Sequence, residues 1–231
     1  MYSTIRLFVF FVLFSCSPVR IYQQLPEVRS WEEEIRKFEH LDSLENYPRD
    51  AILFVGSSSI RLWSTLTRDM YPYPVIQRGY GGAKLSDLSV YAERIIYPHP
   101  CRAIVLFVAN DISGSDDDKE PGEVVGLFRS VLKTIRKKFP DTPVFWIAIT
   151  PTVLRWQVWP QIAKVNEGIR KVCEKNDHVY FIKTDYAFLD NNAQPDTTLF
   201  QPDRLHLNEE GYTVWTKIIR KSLSEVLDSN N

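Results

Sequence analysis

Residues 51–60 read Ala51-Ile52-Leu53-Phe54-Val55-Gly56-Ser57-Ser58-Ser59-Ile60: an apolar run, a glycine, three serines, then a return to apolar side chains. An unbroken apolar run stopped by glycine suits a strand buried on both faces. Ile60, Leu62, Trp63 and Leu66 then recur at helical spacing, so the serines occupy the turn from strand into helix. Such a turn leaves backbone N–H groups unpaired next to a hydroxyl. Similar runs, bounded by Pro or Gly, lie at residues 74–77, 103–108, 143–149 and 179–182. Segments with one apolar helical face separate them, the clearest being Val124, Leu127, Phe128, Val131, Leu132, Ile135 and Phe139. A closing helix is expected through Tyr212, Trp215, Ile218, Ile219, Leu223 and Val226. The alternation predicts an α/β fold, a three-layer α/β/α sandwich around a five-stranded parallel sheet. In such sheets ligands bind beyond the carboxyl ends of the strands, so the loops after Val55, Gln77, Val108 and Ile149 should converge there.

Upstream, a first helix is expected from Ser30, whose hydroxyl caps Trp31-Glu32-Glu33, running through Ile35, Phe38 and Leu41. The 231 residues suffice for one large core, read as a single catalytic domain over 28–231. A formal net charge of -1, with both signs interspersed, leaves no basic stripe for a phosphate backbone. Nucleic acid is therefore not an expected partner.

The N-terminus has a different character. Arg6 precedes the apolar run Leu7-Phe8-Val9-Phe10-Phe11-Val12-Leu13-Phe14, and Ser15-Cys16-Ser17 follows. A basic start, a short apolar stretch and a small-residue exit mark residues 1–16 as a secretory signal. As a helix the run spans only about 12 Å, against a bilayer core of about 30 Å, so it is too short for a transmembrane anchor. Leu13-Phe14-Ser15-Cys16 also resembles a bacterial lipobox, which implies lipidation of Cys16; the bland alternative is simple cleavage and release. The first reading is preferred and leaves residues 17–27 as a tether. The expected location is the cell envelope, lipid-anchored or periplasmic, with membrane contact only through that anchor. Cys101 and Cys173, far apart in sequence, make no disulfide framework and read as small apolar residues.

The chemistry-bearing residues are distributed over distant segments. Ser58 sits in the strand-to-helix turn, and Asp203-Arg204-Leu205-His206 lies near the far end of the chain. A serine hydroxyl needs an imidazole to take its proton, and the imidazole needs a third group to fix its tautomer. A three-residue offset can put Asp203 and His206 on one side of a turn. Ser57 and Ser59 read as capping residues. Arg78-Gly79-Tyr80-Gly81-Gly82 can bring backbone N–H groups close to a ligand, or be only a turn. Asn110-Asp111 can offer a side-chain amide, or again only a turn.

These blocks, in this order, closely resemble the SGNH (GDSL-like) hydrolase family over residues 30–227, including Asn208 and Gly211-Tyr212. The resemblance implies a flavodoxin-like SGNH hydrolase fold with Ser58 as nucleophile, His206 as base and Asp203 as its orienting carboxylate. It also implies an oxyanion hole built from Ser58 N–H, Gly82 N–H and the Asn110 side chain. Two positions depart from the usual pattern: Ser57 stands where Asp is common, and Val108 where glycine usually precedes the asparagine. The second departure could tilt the loop that presents Asn110. No metal or organic cofactor is required, and His40, His99 and His178 form no metal-ligand spacing. The acidic turn at 113–122 does not match a calcium loop and reads as solvated.

The expected reaction is hydrolysis of a carboxylic ester through an acyl-enzyme, with a small-molecule or glycan ester as substrate and acetyl as the preferred acyl group. A lysophospholipase or thioesterase of the same family is an alternative. A rival of another class is a non-catalytic surface lipoprotein that binds glycan or lipid. Trp156 and Trp159 either wall the acyl or sugar pocket or pack at the sheet edge; Arg155 either steers an anionic substrate or is a solvated loop residue.

Overall fold

The computed structural model describes residues 18–228. The signal segment and Cys16 lie outside the described residues. Five strands form one parallel sheet: β1 (Ile52–Gly56), β2 (Val75–Gly79), β3 (Ala103–Phe107), β4 (Val144–Ile147) and β5 (Val179–Ile182), in the order β2-β1-β3-β4-β5. Each lies in an expected run, except that β1 continues past Val55 to Gly56 and β2 past Gln77 to Gly79. Side chains alternate between the two faces. Leu53, Val55, Ile104, Leu106, Val144 and Trp146 enter one core; Ile52, Phe54, Val105, Phe107, Phe145 and Ile147 enter the other. With both faces covered, every residue of β1, β3 and β4 is buried, which is why these strands read as continuous apolar runs.

In chain order the helices are α1 (Pro18–Tyr22), α2 (Pro26–Arg29), α3 (Glu32–Leu44), α4 (Ser58–Arg61), α5 (Leu66–Asp69), α6 (Leu85–Ile96), α7 (Pro121–Lys138), α8 (Trp159–Cys173) and α9 (Glu209–Leu227). Buried residues of α3, α6, α7 and α8 fill the first core, and those of α4, α5 and α9 the second. Helix α7 begins with a proline, whose missing N–H costs nothing in a first turn, and ends on Arg136, Lys137 and Lys138, which suit the negative end of the helix dipole. Its last expected apolar residue, Phe139, lies just past the helix as the C-cap.

Two local expectations change. Helix α3 starts at Glu32 with Trp31 at the cap position, and the Ser30 hydroxyl donates backward to the Glu27 carbonyl at 2.6 Å instead of capping forward. The reason is that α2 already occupies the preceding turn, so Ser30 closes that helix. The segment expected as a tether is structured from Pro18 onward. Tyr22 and Leu25 pack against the first core, the Tyr22 hydroxyl donates to Glu123, and Lys119 lies over its ring. Among the described residues, no helix is long and apolar enough to cross a membrane. Cys173 is buried, Cys101 is half-buried, and both are free thiols.

The sheet order places the site. From β1 the chain goes outward to β2 on one side, then returns to β3 on the other, so a crevice opens at the carboxyl ends of β1 and β3. Gly56, the last residue of β1, lets the backbones close together there: a Cβ on it would lie 1.9 Å from the Phe107 carbonyl oxygen.

Candidate active site

Ser58 is the first residue of α4, directly beyond β1. Ser57 holds the N-cap position but makes no side-chain cap; it is buried, and its amide donates to the Phe107 carbonyl at 2.9 Å. The strand-to-helix turn is thus tied to the end of β3 through the backbone, and the expected capping role of Ser57 is not seen.

At the other end of the chain, residues 200–207 form a small loop closed by an isolated antiparallel bridge between Phe200 and Leu207. Within it the Gln201 amide donates to the His206 carbonyl at 2.7 Å, and Arg204 adopts a left-handed φ of 61°. This folds Asp203 back onto His206. One Asp203 oxygen accepts from the Leu205 and His206 amides at 2.9 and 3.0 Å, and the other meets His206 Nδ1 at 2.6 Å. His206 Nε2 in turn lies 2.9 Å from Ser58 Oγ. Burial works to raise the Asp203 carboxyl, but the hydrogen bonds from the His206 ring and from the two amides outweigh it and hold the group below the usual carboxylate range. Its side chain is 45% exposed, so its charge is secured by those hydrogen bonds and not by desolvation. A hydroxyl, an imidazole and a carboxylate in this chain can pass a proton from oxygen to ring while the carboxylate steadies the imidazolium.

Helix α9 holds this loop against the sheet. Asn208 caps it, accepting from the Gly211 amide at 3.0 Å. Gly211 clears the Leu199 carbonyl, 2.4 Å from where a Cβ would stand. Tyr212 stacks on Trp63 and donates its hydroxyl to the Ser59 carbonyl at 2.9 Å, linking the helix to the serine turn.

A small cleft lies over Ser58, with about 20 Å³ open to a water-sized molecule. Its lining includes Ser58, Asn110, Thr150, Thr152, Arg155 and His206. Asn110 therefore shares the cleft with Ser58 and His206. Its Nδ2 donates to the Ala83 carbonyl at 2.9 Å, and its Oδ1 accepts from Arg155 Nη2 at 2.7 Å. Val108, whose bulk could have tilted this loop, is buried in the first core. Gly82 is exposed, with a left-handed φ of 79°, and is not among the cleft-lining residues; it enters the arrangement through Ala83, its neighbour.

Two buried carboxylates brace the loops from behind. Asp111 accepts from the Leu85 amide at 2.8 Å and Asp87 from the Lys84 amide at 2.8 Å, so together they cap the start of α6. Burial pushes both up to about 6. Asp111 was legible only as part of a turn; its position between two loops depends on the strand order.

Arg155 lines the cleft and donates to the Ala109 and Asn110 oxygens, so it is not simply a solvated loop residue. Trp156 and Trp159 stack on each other with centroids 6.0 Å apart and do not line the cleft; Trp159 packs against the first core. His99 is buried beside Asp42, whereas His40 and His178 are exposed. Among the described residues, no group of three or more His, Cys, Asp or Glu could hold a metal ion. In the acidic turn, Asp118 accepts from the Ser113 and Gly114 amides at 2.7 Å each, closing the loop on itself.

A family model described as the GDSL-like Lipase/Acylhydrolase family matches residues 48–214, well over half of the chain. Among solved structures, a Streptococcus pneumonia protein whose description names platelet activating factor superposes with a TM-score of 0.75 at 18% identity, covering 90% of this chain and 99% of that one. A GDSL-like lipase from Bacteroides thetaiotaomicron gives 0.67 at 12% identity, covering 83% and 97%. An acetyl-xylooligosaccharide esterase from Geobacillus gives 0.62 at 14%, covering 74% and 93%. At these identities the likeness concerns the fold. No curated protein matches the sequence.

Proposed function

This chain belongs to the GDSL-like lipase/acylhydrolase family, and we propose that it is an exported serine esterase that removes a small acyl group, such as acetyl, from a glycan. The observation that carries the reading is the continuous chain from Ser58 Oγ to His206 Nε2 at 2.9 Å and from His206 Nδ1 to Asp203 at 2.6 Å. In the proposed reaction Ser58 attacks the ester carbonyl carbon while His206 takes the hydroxyl proton. The negative charge that develops on the carbonyl oxygen is met by the Ser58 amide and the Asn110 side-chain N–H, which the cleft lining brings together, and not by Gly82, which lies outside that lining. His206 then gives its proton to the leaving alkoxide, and an acyl-Ser58 ester remains. Water, deprotonated by His206, repeats the attack and releases the acid.

A small acyl group is favoured by the tight cleft, which leaves about 20 Å³ beside Ser58 between Asn110, Thr150 and Thr152. Export, by lipidation at Cys16 or by simple cleavage, is supported by the residue 1–16 pattern alone. The test is labelling by a fluorophosphonate probe with Ser58→Ala as control, followed by rates on p-nitrophenyl esters from acetyl to long chain. Ser58-dependent labelling and a maximum at acetyl are expected. Folded protein without such labelling would point to a binding protein, and a maximum at long chains would refute the small-acyl preference.

A further inference from the structure

Asn110 lines the cleft, and the two ends of its amide differ in chemistry, so its orientation decides which atom is a donor and which an acceptor. In this orientation both ends are pinned: Oδ1 by Arg155 Nη2 at 2.7 Å, Nδ2 by the Ala83 carbonyl at 2.9 Å. Flipped by 180°, the amide would set its NH₂ against a guanidinium and its oxygen against a carbonyl, a loss at both ends. Arg155 Nη1 also donates to the Ala109 carbonyl at 2.5 Å, so the same planar fork fixes the backbone one residue earlier. Within ion-pair distance Arg155 has no carboxylate among the described residues. Asp118 attracts it only from beyond that distance, so no contact ion pair cancels its charge, which polarises the amide as a donor. The adjoining Leu154 amide donates to the Arg204 carbonyl at 3.1 Å, so one short loop after β4 touches both the Asn110 loop and the turn that carries Asp203 and His206.

We propose that Arg155 is a positioning residue: it selects and polarises the Asn110 amide orientation that donates to the oxyanion. The inference rests on the esterase reading. It leads to a double-mutant cycle in the full chain, with p-nitrophenyl acetate hydrolysis measured for Arg155→Met, Asn110→Ala and the pair. Arg155→Met should lower kcat about ten- to a hundredfold with KM nearly unchanged, since the interaction is realised in the transition state. Added to Asn110→Ala it should cost less than about twofold, because the amide it orients is gone. Arg155→Lys, whose single ammonium can hold only one of the two oxygens, should recover part of the loss.

Effects that multiply in the cycle would overturn the proposal. Should Arg155→Met lack a cooperative melt, the cycle is read with Arg155→Lys. A second readout needs no catalysis: the side-chain amide NMR signal of Asn110, identified by its loss in Asn110→Ala, should move in the Arg155 variant, and an unmoved signal would refute the assignment. If wild type neither labels at Ser58 nor hydrolyses esters while that signal moves, the esterase reading fails and the positioning contact stands.

Discussion

Two aspartates, one in the turn that carries His206 and one behind the Asn110 loop, are driven in opposite directions by their surroundings. Asp203 lies in an exposed turn with both oxygens engaged, one by two amides and the other by His206. Asp111 lies only a loop away, 3% exposed, with Oδ2 held by the Leu85 amide and Oδ1 without a partner. Donors outweigh desolvation in the first and hold its carboxyl low; desolvation wins in the second and lifts it to about 6. Placement in a cleft does not by itself say what an acid does. The count of donors against the depth of burial does: Asp203 remains an anion for the imidazole, whereas Asp111 is a structural tie held at a cost.

The sharpest way to break this comparison is Asp203→Asn. The amide keeps the shape but can present a donor to His206 Nδ1, which favours the wrong tautomer, so kcat should fall about a thousand- to ten-thousandfold with the melting temperature little changed. A loss of tenfold or less would mean that the exposed carboxylate does not orient the ring.

Next is the pH dependence of stability, where the two groups carry opposite signs. Asp203, lowered in the folded state, stabilises above its unfolded value and loses that contribution as pH falls through its folded value. Asp111, raised to about 6, binds its proton more tightly in the folded state, so its contribution weakens as pH climbs from about 4 to about 6 and is level above that. Asp111→Asn should therefore raise the melting temperature by about 2–6 °C at pH 8, change it little at pH 4, and flatten the slope between. A variant less stable than wild type at pH 8 would show that the charge itself is needed at the start of α6.

The smallest effect concerns the turn's backbone. Arg204 holds φ at 61° between Asp203 and His206, a conformation that glycine adopts without the Cβ penalty. Arg204→Gly should shift stability by less than about 1 kcal/mol in urea, because relief of the Cβ clash is offset by the greater freedom of glycine when unfolded.

Much of this is visible in residue order. The runs that became β1, β3 and β4 are apolar throughout because both faces are covered. Ser58, Asp203 and His206 are legible because a hydroxyl, an imidazole and its orienting carboxylate are chemically distinctive and the last two are local to one turn. Less could be read where partners are remote. Ser30 looked like a cap, but the short helix before it claims its hydroxyl. Arg155 looked free, and its partners lie 45 and 46 residues earlier in the chain. For the tryptophan pair beside it the sequence left pocket wall and sheet-edge packing open, and the two rings stack on each other outside the cleft lining.

The sequence by itself determined the layered α/β architecture, the turn that presents Ser58 and the Asp203–His206 pair as a candidate, since each follows from periodicity or from chemistry within a few residues. Only the tertiary structure decided that β2 and β3 flank β1 on opposite sides, and with it which loops meet over the sheet. That choice aligns Asn110 between Ala83 and Arg155 and buries Asp111 against α6. Hydrogen bonds act over about 3 Å, so contacts between distant segments exist only once strand order has set those segments side by side.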